Sequence, residues 1–590
     1  MSVHPISRRQ FFKAGALTSA ALGFPTLIPA RVLGAEAPSK KIQVGIIGCG
    51  RIANGMDIPG VWQNQDLASV VAFADPDLRR CKYTQEKTKN LFNGDMPTST
   101  CYQDYKSLLA DPAVDAVMIC TPDHWHAQLC VEAALAKKDI YVQKPLAMSI
   151  AESRIITDIV QKTGRVFHLG TQQRSEGKST FGSQFRKAAE YVRNGRIGRV
   201  KRVEIGLPQD PKEPVDLPLV QPIPETFNYD LWLGCAPQAP YCELRVHRQG
   251  EGDKVDFSRP GWLTIQDYCM GMISGWGSHH LDIALWALGV AQTQVQVTGK
   301  AAFPKRRLWD VHGALDVTYA YANGLKIQIG DESRYPNGIR FVGDEGWIFC
   351  GRGSVKTTIS DPGAGGKHGY WRPLEASKKS LIEGEVKEQL TRNPSNHHRV
   401  FFDSIRTRQP TNTPIQSAHE STTTCILGFM AMNLKRPLTW DPKAEKFIND
   451  DKANEALSRP ERAPYGAQNA LKNAATLTVV NDGPSQVRSA LLQDAKVFGE
   501  REQDRPGNPA VIEEPEFSLI RGTRSSLIIA SGAAENHKPV LYVEPRRTPG
   551  VKKEEIQAEL NRAIKALESK WPGLYAEPFE TGFRVVFPAK

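Results

Sequence analysis

Between residues 42 and 170, apolar runs of four to six residues alternate with stretches of helical period. Residues 42–47, 70–74, 116–120, 139–142 and 165–169 read as buried strands, and the intervening segments, among them 126–137 and a stretch ending near Thr163, read as helices. Repeated βα units predict a parallel, doubly wound sheet, whose ligands sit at the carboxyl ends of the strands. From about residue 200 the period drops to two. Residues 200–206, 314–321, 325–329 and 347–349 alternate as strands, clustered together with helices before and after them, which predicts an α+β domain. The proline-rich stretch 207–226 predicts a long surface loop. Beyond residue 465, short strands at 476–480, 517–520, 526–529 and 583–587 and a charged amphipathic helix over 552–570 predict a small α+β appendage.

The first strand runs directly into Gly48-Cys49-Gly50-Arg51-Ile52-Ala53, a G-x-G-x-x-A turn between a strand and a helix. Gly48 permits the tight turn and Gly50 lets the backbone approach a pyrophosphate. The helix start at Arg51 and Ile52 offers free N–H groups to it. The second strand ends at Asp75, placed to accept hydrogen bonds from ribose hydroxyls and to repel a 2′-phosphate, so NAD is favoured. Arg79 and Arg80, which follow, are the residues that would admit NADP instead.

Composition narrows the classes further. The 590 residues carry 75 Lys+Arg against 64 Asp+Glu, a net charge of +11, but acidic residues are interleaved with basic ones almost everywhere. A nucleic-acid reader concentrates its cations on one face or tail, so nucleic acid is excluded as a partner. Hydrophobic residues at 40% exclude a disordered chain. Ten cysteines without a C-x-x-C pair are too few for a disulfide scaffold; Cys235 and Cys242 are the one close pair that could bridge. At the N-terminus, Ser7-Arg8-Arg9-Gln10-Phe11-Phe12-Lys13 followed by a mildly apolar stretch and small residues near 33–37 has the form of a twin-arginine export signal. That route carries folded proteins, so a tightly held cofactor loaded before export is expected, with no membrane association after cleavage.

Several motifs together resemble the Gfo/Idh/MocA family of oxidoreductases. They are the glycine turn, Thr121-Pro122-Asp123-His124-Trp125-His126, Gln143-Lys144-Pro145 and Gly277-Ser278-His279-His280-Leu281-Asp282. The exported branch of that family is the nearer likeness, through residues 170–175 and 231–234. The resemblance covers roughly residues 41–465. It implies an α/β chain with an NAD(P)-binding Rossmann domain (38–170) and an α+β substrate and oligomerisation domain on a large, mostly antiparallel sheet (171–465); the export pattern adds a signal peptide (1–37) before them, and the small α+β appendage is a C-terminal extension (466–590) beyond the likeness.

The resemblance also implies a site. Lys144 and His279 are the acid/base candidates flanking the reacting carbon. Gly48, Gly50, Arg51, Ile52, Asp75, Thr121, Pro122, His126, Gln143 and Lys144 are expected at the cofactor. Gln173, Arg174, Trp276, His280 and Asp282 are expected at a carbohydrate substrate, and Asp282, three residues after His279, is placed to orient its imidazole. No catalytic metal is expected, since no i,i+4 histidine pair or H-E-x-x-H occurs. Two departures stand out: the family's common Glu before the lysine is Gln143, and its Asp four residues before the histidine is Gly275. Three functions therefore compete. They are an NAD(P)-dependent sugar oxidoreductase, a redox-neutral glycosidase or epimerase with retained NAD working through a keto-sugar, and a non-catalytic sugar-binding protein on a dehydrogenase scaffold. A homo-oligomer is expected, because a broad sheet commonly buries its open face against another subunit.

Overall fold

The computed structural model describes residues 41–94, 96–175, 183–209, 215–250, 254–352, 373–391 and 396–472, and parts of 512–586. The export signal, the strand at 476–480 and most of the helix at 552–570 lie outside the described residues. The chain divides into two compact units, residues 1–467 and 468–590.

The first sheet of the larger unit is six parallel strands: β1 (Ile42–Ile47), β2 (Ala68–Ala74), β3 (Thr100–Tyr102), β4 (Ala116–Ile119), β5 (Asp139–Gln143) and β6 (Phe167–Gly170). Their spatial order is β3-β2-β1-β4-β5-β6, so the chain reverses direction between β1 and β4. Every residue of β2 and β4 is buried, because helices cover both faces. Those helices start and stop on short polar signals. Asp77 accepts from the backbone N–H of Arg79 and Arg80 at the start of Leu78–Leu91. Ser149 caps Ile150–Thr163, and Gly164 ends it in the left-handed conformation.

The helix after the glycine turn departs from regular form. Ala53–Asp57 is π-helical, just ahead of Pro59. Proline has no N–H to give to residue 55 and its ring crowds that carbonyl, so the turn widens. Asp57, at the end of the widened turn, is completely buried.

The second sheet has nine strands in the order β13-β12-β11-β7-β10-β9-β8-β14-β15. They are β7 (Val200–Leu207), β8 (Val295–Ala301), β9 (Leu315–Tyr321), β10 (Lys326–Asp331), β11 (Gly338–Gly343), β12 (Trp347–Cys350), β13 (Leu374–Ala376), β14 (Leu438–Asp441) and β15 (Lys446–Phe447). All neighbours are antiparallel except β7 and β10. The period-two pattern is explicit in β9, where Leu315, Val317, Tyr319 and Tyr321 are buried and the residues between them are not. The buried face packs under the helices Gln184–Arg193, Gly277–Leu288 and Ile415–Leu434. The smaller unit holds an antiparallel sheet of β16 (Ile512–Glu514), β17 (Phe517–Arg521), β18 (Ser525–Ala530), β19 (Val540–Pro545), β20 (Tyr575–Phe579) and β21 (Gly582–Val586), in the order β16-β17-β18-β19-β21-β20. Cys235 and Cys242, the pair that could have bridged, are buried free thiols.

Candidate active site

A cleft opens at the carboxyl ends of β1, β2, β4 and β5, beside the strand-order reversal. One wall is Gly48, Gly50, Arg51, Ile52, Asp75, Thr121, Pro122, Gln143 and Lys144; the other includes Trp232, Trp262, Gly275, Trp276, His279 and Arg352. Gly48 has φ +91°, and a Cβ there would come within 2.8 Å of the Cys120 carbonyl carbon. Gly50 has open space where its Cβ would stand. The first glycine therefore shapes the turn, and the second keeps its outer side clear.

Asp75 receives the backbone N–H of Cys49 at 2.7 Å on one oxygen and that of Asp77 at 2.8 Å on the other. Each oxygen keeps a lone pair for a further donor. Burial, reinforced by the neighbouring Asp77, pushes its carboxyl up to about 6. The arginines that would favour NADP are committed elsewhere. Arg80 donates to the carbonyls of Arg248 (3.1 Å) and Asp256 (2.5 Å), and Arg79 donates to the carbonyl of Gln249.

At the other end of the cleft the two lobes bring Lys144 and His279 within electrostatic reach of one another. Burial, then the Arg352 and Lys144 cations, hold the His279 ring well below the ordinary histidine range, so it is neutral. Its Nδ1 is buried and has no hydrogen-bond partner among the described residues, and Thr121 Oγ1 shares that condition. Buried polar atoms without partners at a cleft wall await a ligand.

Sequence reasoning gave no role to Asp123, which lines the same cleft. Burial pushes its carboxyl up to about 7, opposed by Lys144, so an acid with a near-neutral pKa sits within the field of the lysine. It missed Asp57 as well. That carboxylate receives Gln143 Nε2 at 2.8 and 3.0 Å, His398 Nε2 at 2.9 Å and the Cys120 thiol at 3.1 Å. The negative charge absent at Gln143 is thus supplied one layer behind it, and the Gln143 amide is fixed in orientation. Asp123 stands inside a motif already singled out, but Asp57 and Arg352 leave no motif to find.

Five expected site residues stand off this cleft. His126 lies between the carbonyls of Pro145 (2.6 Å) and Thr121 (3.1 Å), bracing two strand ends, and burial lowers it to about 4. Asp282 gives both oxygens to Arg174, at 2.6 and 2.7 Å, and so does not orient His279. Arg174 is correspondingly spent on that buried pair and on the Trp286 face at 4.9 Å. His280 bonds Asn337 Oδ1 at 3.1 Å and is fully buried. Gln173 is also fully buried, behind the His279 helix start. Trp276 remains on the cleft wall. Among the described residues, no group of three or more His, Cys, Asp or Glu side chains could hold a metal ion. No described helix is long and apolar enough to cross a membrane.

Comparison with known proteins fits this geometry. A family model described as the oxidoreductase family, NAD-binding Rossmann fold, matches residues 42–171. Its companion, the oxidoreductase family C-terminal alpha/beta domain, matches residues 215–362 and 376–467. The chain belongs to the Gfo/Idh/MocA oxidoreductase family. A further model of an oxidoreductase C-terminal domain matches residues 513–590. Among curated relatives, myo-inositol 2-dehydrogenase of Thermotoga maritima is 28% identical over 176 residues, 29% of this chain and 47% of that protein. Glycosyl hydrolase family 109 protein 2 of a Shewanella species is 30% identical over 177 residues, 27% of this chain and 38% of that protein. The alignments thus span less than half of each relative's length. Among solved structures, the WlbA dehydrogenase from Bordetella pertussis, crystallised with NADH and UDP-GlcNAcA, aligns at 15% identity with a TM-score of 0.46. That alignment covers 68% of this chain and 98% of that one.

The Gfo/Idh/MocA nucleotide end is testable through pH. Asp75 is ionised above about 6 and protonated below it, and the charged form is the stronger acceptor for ribose hydroxyls. NADH affinity should therefore be level from pH 7 to 8 and fall as pH drops through about 6. In Asp75→Ala the affinity should be roughly ten to a hundredfold weaker and lose that dependence. Fluorescence titration of NADH from pH 5 to 8 reads both.

Proposed function

We propose that the protein is a nicotinamide-dependent oxidoreductase of a sugar or sugar derivative, with Lys144 and His279 as its acid/base groups. The observation that carries this reading is a single cleft lined by the glycine turn, Asp75, Lys144 and His279. The residues fit the dinucleotide: Gly50 leaves room at the turn, Asp75 has acceptor capacity for the ribose, and Thr121 Oγ1 is an unpartnered donor. A bound nicotinamide coenzyme supplies the hydride acceptor.

The chain's own residues do the rest. Lys144 Nζ takes the hydroxyl proton of the substrate as the carbonyl forms, and Asp123 is placed to relay it. Neutral His279 offers one ring nitrogen to the same oxygen, as donor or acceptor according to tautomer. Asp57 holds Gln143, so the wall beside Lys144 does not shift. The aromatic faces of Trp276 and Trp262 exclude water from the substrate end.

The twin-arginine pattern at Arg8-Arg9 supports export by that route, and with it a cofactor that stays bound. This favours a second reading, a redox-neutral enzyme that would keep its NAD and cleave a glycoside through a keto-sugar. The glycosyl hydrolase relative and the carboxylate missing at Gly275 point the same way. One experiment separates the two. The purified full chain is denatured and released NAD(H) is counted, then the native protein is given glycosides and followed for NADH and for cleaved product. Net NADH formation supports the first reading. Cleavage at constant NADH, with about one NAD(H) released per chain, supports the second. Neither turnover nor bound dinucleotide would refute both.

A further inference from the structure

Behind the cleft wall, a fully buried carboxylate decides which atom of Gln143 is left for a ligand. Asp57 Oδ1 accepts from Gln143 Nε2 at 3.0 Å and from His398 Nε2 at 2.9 Å. Its Oδ2 accepts from the same Gln143 nitrogen at 2.8 Å and from the Cys120 thiol at 3.1 Å. Two contacts on each oxygen match the four acceptor positions of a carboxylate. Because a carboxylate only accepts, the Gln143 amide faces it with its nitrogen. Turned over, the amide would set its oxygen against both carboxylate oxygens in a low-dielectric interior, where unpaired polar groups are costly.

Packing fixes the same orientation. A Cβ at Gly170 would come within 2.8 Å of Gln143 Oε1, and one at Gly60 within 2.3 Å of His398 Nδ1. Both ends of the Gln143–Asp57–His398 chain thus press on backbone that carries no side chain. The His398 ring also stacks on Tyr141, with centroids 5.2 Å apart and planes at 17°. Gln143 lines the cleft, and its remaining oxygen, Oε1, accepts from no donor among the described residues. At this point the wall offers an acceptor and no donor. The chain also accounts for the amide at 143, since a glutamate there would press a second carboxylate on Asp57.

We propose that Asp57 is a positioning residue, which holds Gln143 so that Oε1 accepts from the carboxamide N–H2 of the nicotinamide. The inference rests on the reading of this cleft as a nicotinamide site, and adds the residue behind the wall that orients one coenzyme contact. Gln143 ends β5 directly before Lys144, and so belongs to the hydride-accepting end of the cleft on that reading. The carboxamide is the amide donor that a nicotinamide coenzyme carries at that end. A wall that only accepts would select it over a methyl ketone of the same shape, which has no N–H to give.

The test is calorimetric titration of the full chain with NADH and with reduced 3-acetylpyridine adenine dinucleotide, in which a methyl ketone replaces the carboxamide. NADH should bind about fivefold more tightly, the size of one hydrogen bond. In Asp57→Asn that preference should disappear. In the double variant Asp57→Asn, Gln143→Glu the carboxylate is moved to the wall with an amide behind it, and the preference should return. Thermal unfolding gives a second, independent reading. Gln143→Glu alone should melt below both the native protein and the double variant, because it alone sets two buried carboxylates together. Should Asp57→Asn fail to fold, Gln143→Leu, which removes the oxygen itself, takes its place and should show the same loss. Equal binding of the two coenzymes by the native protein, a preference that survives these single variants, or a double variant that melts no higher than Gln143→Glu would each overturn the proposal. Failure of NADH to bind the native protein at all would refute the nicotinamide reading as well, whereas equal binding refutes this inference alone.

Discussion

Replacing Lys144 by alanine should lower kcat by about a thousandfold, within the range that positioned acid/base groups contribute, while NADH binds as in the native protein. The separation of the two effects follows from where the lysine stands. It follows β5 on the cleft wall, within the field of His279 and Asp123, whereas Gly48, Gly50 and Asp75, the residues proposed to hold the nucleotide, stand just past the ends of β1 and β2. Lys144→Arg should be nearly as inactive, because a guanidinium keeps its proton at any working pH. Steady-state rates with the sugar substrate, beside an NADH titration of the same preparation, decide the matter. Near-native turnover in Lys144→Ala removes the lysine from the mechanism, and loss of NADH binding would make it a cofactor residue instead.

The second large effect concerns the glycine turn, where two neighbouring glycines should fail differently. In Gly48→Ala the new Cβ is forced to 2.8 Å from the Cys120 carbonyl carbon, in a backbone conformation with φ +91° that alanine resists. The β1 and β4 ends must part. Stability should fall by roughly 2 kcal/mol or more, with NADH binding lost as well. In Gly50→Ala no atom of the described residues lies within 4 Å of the added carbon, so the melting temperature should hold while NADH binding weakens. Thermal unfolding and NADH titration of both variants form the test, and a matching loss of stability in Gly50→Ala would show that this residue, too, serves the fold.

Most of the architecture was legible because it rests on local periodicity. The strand at 116–119 is apolar from end to end and that at 42–47 apolar but for Gln43, since a parallel sheet is covered on both faces, and the second sheet announces itself through alternation such as that of Leu315, Val317, Tyr319 and Tyr321. The site was legible where backbone form demands a residue type, as at Gly48, or where a charged side chain ends a strand, as at Asp75 and Lys144. Pairings made across the fold were not. Asp282 shares a helical side with His279, but its carboxylate is taken by Arg174, 108 positions away in the chain. Asp57 enters the interior through a widened turn ahead of Pro59, which a regular helical period does not describe. Arg352 gains its place from Trp276 and Gln173, contributed by two separate segments.

The two arginines after β2 bind more than one property together. Arg79 and Arg80 spend their guanidinium groups on the carbonyls of Arg248, Gln249 and Asp256, so they fasten residues 248–249 and 256 to the start of the helix after β2. Anyone re-engineering the protein to accept a phosphorylated coenzyme would remove Asp75 and look to these neighbours for a counter-charge. Recruiting them would release those carbonyls, so coenzyme choice and the packing beside Asp75 cannot be tuned independently in this scaffold.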